Sequence, residues 1–294
     1  MTKFNGVMAV VAVCTAAATA QSPGGVGPGT PAPGDLADVL SRVGDRVEEY
    51  FRRAQSIVCL ETVRVQPIGH DLMPDGRARV LQYELRVTWE PAPDGNTPPD
   101  ATVLRELLTV DGRPPRPSKE PECLDSAPAI SPEPLAMLLR GQRDEFLFAS
   151  AGARQIKGRR TIQVDYKTRT LTPSKVSWHG DCSTFSFPGT KGRVWVDAST
   201  SDVVRLDQSL MGFVSLQVPR DRVKPWMPAS LEVQRVDSSI HYRRIGFHDP
   251  DEDVLLPDSI ESVQVVQGTG VAGVRTTRAF SNYKRFVTGG RVVK

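Results

Sequence analysis

The stretch from Gly192 to Leu206, GRVWVDASTSDVVRL, decides how the chain is read. Val194 and Val196 alternate with Arg193, Trp195 and Asp197, and a small polar break from Ala198 to Asp202 leads into Val203, Val204, Arg205 and Leu206. Period-two alternation on both sides of a short polar break predicts two strands joined by a tight turn, an antiparallel hairpin.

The same period recurs on either side of this hairpin. In Arg79 to Trp89, Leu81, Tyr83, Leu85, Val87 and Trp89 share one face, and Val80, Gln82, Glu84, Arg86 and Thr88 share the other. Such a strand is about 36 Å long, which is long for a globular sheet. Further strands are predicted at Ile57 to Gln66, Val103 to Val110, Thr161 to Lys167, Leu231 to Val236, Ile240 to Phe247, Ile260 to Gln267 and Val274 to Phe286. Turn residues such as Asp111-Gly112, Pro188-Gly189 and Gly268-Thr269-Gly270 separate them. No fixed-period repeat is present.

Helical spacing occurs twice. Leu36, Val39, Leu40, Val43, Val47 and Phe51 recur three and four apart behind Asp35, a candidate N-cap. A short helix is predicted at Pro134 to Leu139, with Ser131 as cap, Pro132 in the first turn and Gly141 as the stop. Strands with one apolar face, following each other without crossover helices, form an antiparallel sheet, and so many long strands must curl. The curl gathers the apolar faces on a concave side, where the two helices can lie. The fold class is therefore mainly β, a curved antiparallel sheet with an N-terminal helix and one short inserted helix covering the concave face.

The ends bound the setting. Met1 to Ala20 carries Lys3, the apolar run GVMAVVAVCTAAATA and an Ala18-Thr19-Ala20 site, the layout of a cleaved secretory signal. Lipid attachment at Cys14 is the alternative, disfavoured by the bulky Val13. Gln21 to Gly34, QSPGGVGPGTPAPG, reads as a disordered linker, and residues 35–294 as a single β domain. The expected location is periplasmic or secreted, with a soluble mature chain. The net charge of +3 falls to about +2 without Lys3, so there is no electrostatic footprint for nucleic acid.

Three cysteines remain after such processing. Cys123 and Cys182 lie in polar, turn-rich surroundings and are the expected disulfide, while Cys59, inside the apolar run IVCL, is expected as a buried free thiol. All three being reduced is the alternative. No cysteine or histidine pair has zinc-ligand spacing. Asp249, Asp251 and Asp253 imitate the start of a calcium loop, but Val254 and Ile260 stand where glycine and a bidentate glutamate are required, so an acidic inter-strand loop is expected. Ser281 to Lys284 fits S-x-x-K but falls on a predicted strand. No metal, cofactor or catalytic constellation emerges. A basic cluster of Arg154, Lys157, Arg159 and Arg160 surrounds a hairpin turn at Gly158 and reads as solvated surface.

The hairpin GRVWVDASTSDVVRLD resembles the G-x-V-W-V-D, turn, V-x-R-L hairpin of the LolA-like superfamily of periplasmic lipoprotein carriers and their relatives. Leu256 to Ile260 (LPDSI) and Thr276 to Phe286 (TTRAFSNYKRF) resemble the closing strands of exported members. The resemblance implies an eleven-stranded half-barrel, an apolar concave face that holds acyl chains, and no catalytic residue. The implied function is non-catalytic binding or carriage of lipid or acylated protein, with an envelope interaction or sensor protein as the alternative and a hydrolase as a lesser one. The concave residues in question are Leu81, Tyr83, Leu85, Val87, Trp89, Ile162, Val164, Tyr166, Val194 and Val196, which either bind lipid or pack on the helices as core. Trp226 and Met227, in the rigid cationic loop PRDRVKPWMP, are candidates for a lid or for contact with a membrane surface, with Trp226 as a plug for one end of the barrel as the alternative; a membrane surface or an envelope protein is the further partner expected of the chain.

Overall fold

The computed structural model describes residues 33–53, 57–90, 100–116, 133–156, 158–179, 182–218, 220, 223, 229–248, 251–267 and 272–285. The expected signal segment, most of the expected linker, and Ser131, Pro132, Cys123, Trp226 and Met227 lie outside the described residues. Helix α1 (Pro33–Arg53) precedes strands β1 (Ile57–Ile68), β2 (Arg79–Glu90) and β3 (Asp100–Val110). A short helix α2 (Glu133–Ala136) follows, then β4 (Phe146–Ile156), β5 (Arg159–Thr168), β6 (Lys175–His179), β7 (Cys182–Ser186), β8 (Thr190–Asp197) and β9 (Val203–Leu210). The remaining strands are β10 (Val214–Gln217), β11 (Ser230–His248), β12 (Asp251–Gln267) and β13 (Gly273–Arg285).

Eleven strands form one curved, open sheet in the order β3-β2-β1-β13-β12-β11-β9-β8-β5-β4, with β10 also on β11; β6 and β7 pair separately. Every pairing is antiparallel. The expected curved antiparallel sheet with an N-terminal helix is thus present. The hairpin of Gly192 to Leu206 is β8 and β9, with Val194 opposite Leu206 and Trp195 opposite Arg205.

Several boundaries differ from the sequence reading for physical reasons. Helix α1 opens at Pro33, so Asp35 lies within it and is not its N-cap; a proline is well tolerated in a first helical turn. The second helix ends at Ala136, and tight turns, with Leu138 N–H donating to Leu135 O and Leu139 N–H to Ala136 O, carry the chain on to Leu139. The two strands expected at Leu231 to Val236 and Ile240 to Phe247 are one continuous β11, because Asp237, Ser238 and Ser239 pair with both β9 and β12. Asp251 and Asp253 sit inside β12 and not in a loop. There Pro257 is accommodated at a register shift opposite Tyr242, since a proline cannot donate to a regular ladder.

The interruption between β9 and β10 is a bulge. Both strands run along β11, Asp237 facing Ser209 and Val233 facing Val214, so β10 continues the path of β9. At the open edge, β4 bulges between Ser150 and Ala153, where Gly152 takes a φ of +89°; such kinks blunt an edge strand.

One face of this sheet holds the core. Val39, Val43, Val47 and Phe51 of α1 and Leu135 to Leu139 pack with Leu85, Val87, Val164, Val194, Leu206, Ile240, Leu256 and Phe280 in one apolar cluster. The helical stripe read from the sequence is therefore the one that meets the sheet. No helix among the described residues is long and apolar enough to cross a membrane.

Candidate ligand-binding face

Most of the residues expected on the concave side fall into two buried apolar clusters. Leu81, Tyr83, Leu85 and Val87 of β2, Val164 and Tyr166 of β5, and Val194 and Val196 of β8 are buried, while Ile162 is half-buried against the same cluster. Trp89 lies in β2 opposite Ala101. Leu85, Val87, Val164, Tyr166, Val194 and Val196 join the cluster that includes both helices; Leu81 and Tyr83 belong to a smaller one with Val63. Their burial follows from the two-residue pleat, which turns every second side chain toward α1 and α2.

A charged group that sequence reading missed lies between these two clusters. Glu61, on β1 opposite Tyr83, has no solvent exposure. Arg105 Nε donates to Glu61 Oε2 at 2.8 Å, and its guanidinium lies 3.7 Å from the centre of the Tyr83 ring. Arg278 Nη1 lies 3.8 Å from Glu61 Oε1, an oxygen that accepts no hydrogen bond among the described residues. Burial pushes the Arg278 guanidinium below its ordinary value, against the pull of Glu61. Two guanidinium groups thus flank one carboxylate inside the apolar face. The only signal for it in the sequence is a glutamate at an inward position of the run IVCLETV.

The cover is clasped at one crossing. Arg143 donates through Nε to Leu138 O at 2.8 Å and through Nη2 to Leu40 O, joining the end of the α2 segment to α1. Gly44 is the helical residue at this crossing: a Cβ there would overlap Arg143 Nη2 and stand 2.9 Å from Leu138 O. Arg46 Nε donates to Thr200 O at 3.0 Å, and Arg285 donates to Arg53 O and to Glu252, which fixes the C-terminal end of α1 on the sheet. Tyr50, Tyr242 and Tyr283 line this side, their hydroxyl groups held above the ordinary phenol range by burial.

The turn of the β8–β9 hairpin is held by Asp197. Its Oδ1 accepts from Ser199 N at 2.8 Å, Ser199 Oγ at 2.5 Å and Thr200 N at 3.2 Å. Burial raises the Asp197 carboxyl, but these donors and the charge of Arg159 outweigh it and hold the group below its ordinary value. Across the same hairpin, Tyr166 faces Gly192 and donates to Asp207 O at 3.2 Å, in space that a Cβ on Gly192 would invade. An aromatic ring laid over a strand glycine restores the packing that the glycine lacks.

The outer face of this region carries a groove of about 590 Å³, lined by Leu147, Asp165, Lys167, Lys191, Arg193 and Trp195 among others. These alternate with the core residues Val164, Tyr166, Val194 and Val196, so the groove lies on the side away from the helices. Cys59 is a buried free thiol as expected, pushed up to about 12 by burial and by the Glu61 charge. Cys182 opens β7 opposite His179. Among the described residues, no three His, Cys, Asp or Glu side chains are grouped to hold a metal.

No family model and no curated protein matches the chain. Among solved structures, it is similar to a LolA superfamily protein from Nitrosomonas europaea, at 9% identity over 84% of this chain and 94% of that one, with a TM-score of 0.36. It is also similar to a DUF1329 family protein from Desulfovibrio piger ATCC 29098, at 11% identity over 86% and 94%, with a TM-score of 0.40.

Proposed function

We propose that this chain is a non-catalytic binding or carrier protein of the bacterial envelope that takes lipid or acylated cargo on the helix-covered face of its sheet. The observation that carries the reading is the way this face is closed. Among the described residues, the larger apolar cluster of the sheet is roofed by two helical segments, so displacing the roof uncovers an apolar floor. The hairpin resemblance points the same way. The buried Glu61–Arg105–Arg278 group adds hydrogen-bonding capacity between the two apolar clusters of that floor, suited to the polar end of a lipid or of an acyl-linked peptide.

Lipid retention tests the reading. Protein isolated from the periplasm under gentle conditions and weighed by native mass spectrometry should carry lipid-sized adducts that organic extraction removes. A clean apo mass, with no uptake from lipid vesicles afterwards, would overturn it in favour of a second reading. That second reading is an envelope interaction or sensor protein whose half-barrel is filled by its own side chains, and the burial of Val39, Val43, Val47 and Leu135 to Leu139 against the sheet supports it.

The Pro219 to Pro228 loop is assigned to membrane contact within this proposal. Trp226→Ala should lower association with anionic vesicles while leaving the thermal midpoint unchanged; unaltered association would remove the loop from the mechanism.

A further inference from the structure

The groove on the outer face is not accounted for by a ligand bound under the helices. It is lined by two cross-strand rungs and by Trp195 of a third, which can be read from the registers of β4, β5, β8 and β9. The first rung is Leu147, Lys167, Lys191 and Ser209; the second is Ala149, Asp165, Arg193 and Asp207; the third includes Gln163, Trp195 and Arg205.

Charge is distributed unevenly over these rungs. In the second and third, each cation has its anion: Arg193 makes a two-pronged pair with Asp165 at 2.5 and 3.0 Å, and Arg205 one with Asp207 at 2.8 and 2.9 Å. Asp207 also accepts from Ser239 Oγ at 2.8 Å. Arg205 and Arg193 flank the Trp195 ring, 4.7 and 5.9 Å from its centre, so the indole is almost wholly buried. The first rung differs. Lys167 and Lys191 stand directly opposite one another on neighbouring strands, and neither has a carboxylate within ion-pair distance among the described residues. Like charges facing each other across a ladder destabilise it. Beside them, Leu147 on the edge strand is exposed.

We infer that this groove is a second binding site, for a small amphiphile with one compact anionic head on an aliphatic body. Lys167 and Lys191 receive the head, which relieves their mutual repulsion, and the body lies along Leu147, Ala149 and the edge of Trp195. A volume of about 590 Å³ is within the range of small-molecule sites. The paired ions of the second rung are already satisfied, so they do not compete for the head. A carboxylate and a phosphate monoester share this chemistry.

Isothermal titration of the full-length mature protein decides the matter. The probes are dodecanoate, dodecyl phosphate, octyl glucoside and dodecyltrimethylammonium, each below its micelle concentration, with inorganic phosphate as the headgroup alone. One or both anionic amphiphiles should bind, and the tighter of the two identifies the preferred head. The neutral and cationic probes should bind at least about tenfold more weakly, as expected for loss of one partly exposed charge-assisted contact. The variant Lys167→Gln/Lys191→Gln should lose that preference with no fall in its thermal midpoint, and Leu147→Glu should weaken anion binding without unfolding the chain. Equal affinity for octyl glucoside, unchanged binding in both variants, or inorganic phosphate binding as tightly as the amphiphiles would each overturn the site. None of these variants touches the helix-covered face, so lipid retention there is scored separately.

Discussion

Arg143 occupies the space that a side chain on Gly44 would need, and through that crossing the α2 segment is bonded to α1. A glycine inside a helix normally costs about 1 kcal/mol relative to alanine. Here it permits a close approach that no other residue allows, so the two covering segments act as one piece.

Gly44→Ala should therefore destabilise the fold by about 1–2 kcal/mol, although alanine is the better helix former, because crowding at a packed crossing outweighs propensity. Urea unfolding followed by circular dichroism measures it. Adding Arg143→Ala should recover part of the loss, whereas a gain in stability from Gly44→Ala alone would show that the crossing is looser than described.

The buried ionic group should respond asymmetrically. Glu61→Gln leaves Arg105 and Arg278 without their anion inside the apolar face, at a cost of about 3–5 kcal/mol. Replacing all three by apolar residues of similar volume should restore most of that stability in the same unfolding measurement, since well-packed apolar groups commonly match a buried ion pair.

The Asp197 turn should confer a pH dependence of definite sign. Its carboxyl is held below the unfolded value of 3.8, so its stabilising contribution is complete above that pH and disappears as the pH falls through the lower folded value. Asp197→Asn should be less stable than the parent at pH 7, with the difference narrowing toward pH 2–3. A gap that is constant across a pH series of urea midpoints would contradict the arrangement.

Thiol reactivity separates the cysteines. Cys59 is buried and its thiol is raised to about 12, so it should resist iodoacetamide at pH 8 until the chain unfolds. We propose that Cys123 and Cys182 are bridged; in the protein unfolded without reductant, Cys59 should then be labelled while Cys123 and Cys182 are labelled only after reduction. Three sites labelled without reductant would remove the bridge.

Strand and helix periodicity carried most of this fold. The inward rows of β2, β5 and β8, and the stripe on α1, are visible in the sequence because apolar side chains mark the buried face directly. Strand β4 was not legible, since beyond Phe146 and Phe148, which pack on the core, the edge strand FLFASAGARQI is mostly small or polar and shows little alternation. The division of β11 into two was misplaced because Asp237, Ser238 and Ser239 look like a turn, yet in the structure they are flanked by paired strands on both sides. The Glu61 group was hidden for a different reason. Its partners lie on β3 and β13, and only the register brings three distant charges to one point. The outer groove is likewise a product of register, as nothing in the sequence sets Lys167 beside Lys191.

The pairing of β1 with β13 has a consequence for when the molecule can be assembled. Ile68 and Gly273 are partners although they are more than two hundred positions apart, and among the described strands the β3-β2-β1 meander joins the rest of the sheet through the pairing of β1 with β13. Contacts of such long range form slowly, because the intervening loop must close first. A chain emerging from its N-terminus cannot complete its sheet until nearly its last strand has emerged. Such a delay makes closure of the sheet a late step, which waits on β13 however early the other strands have paired.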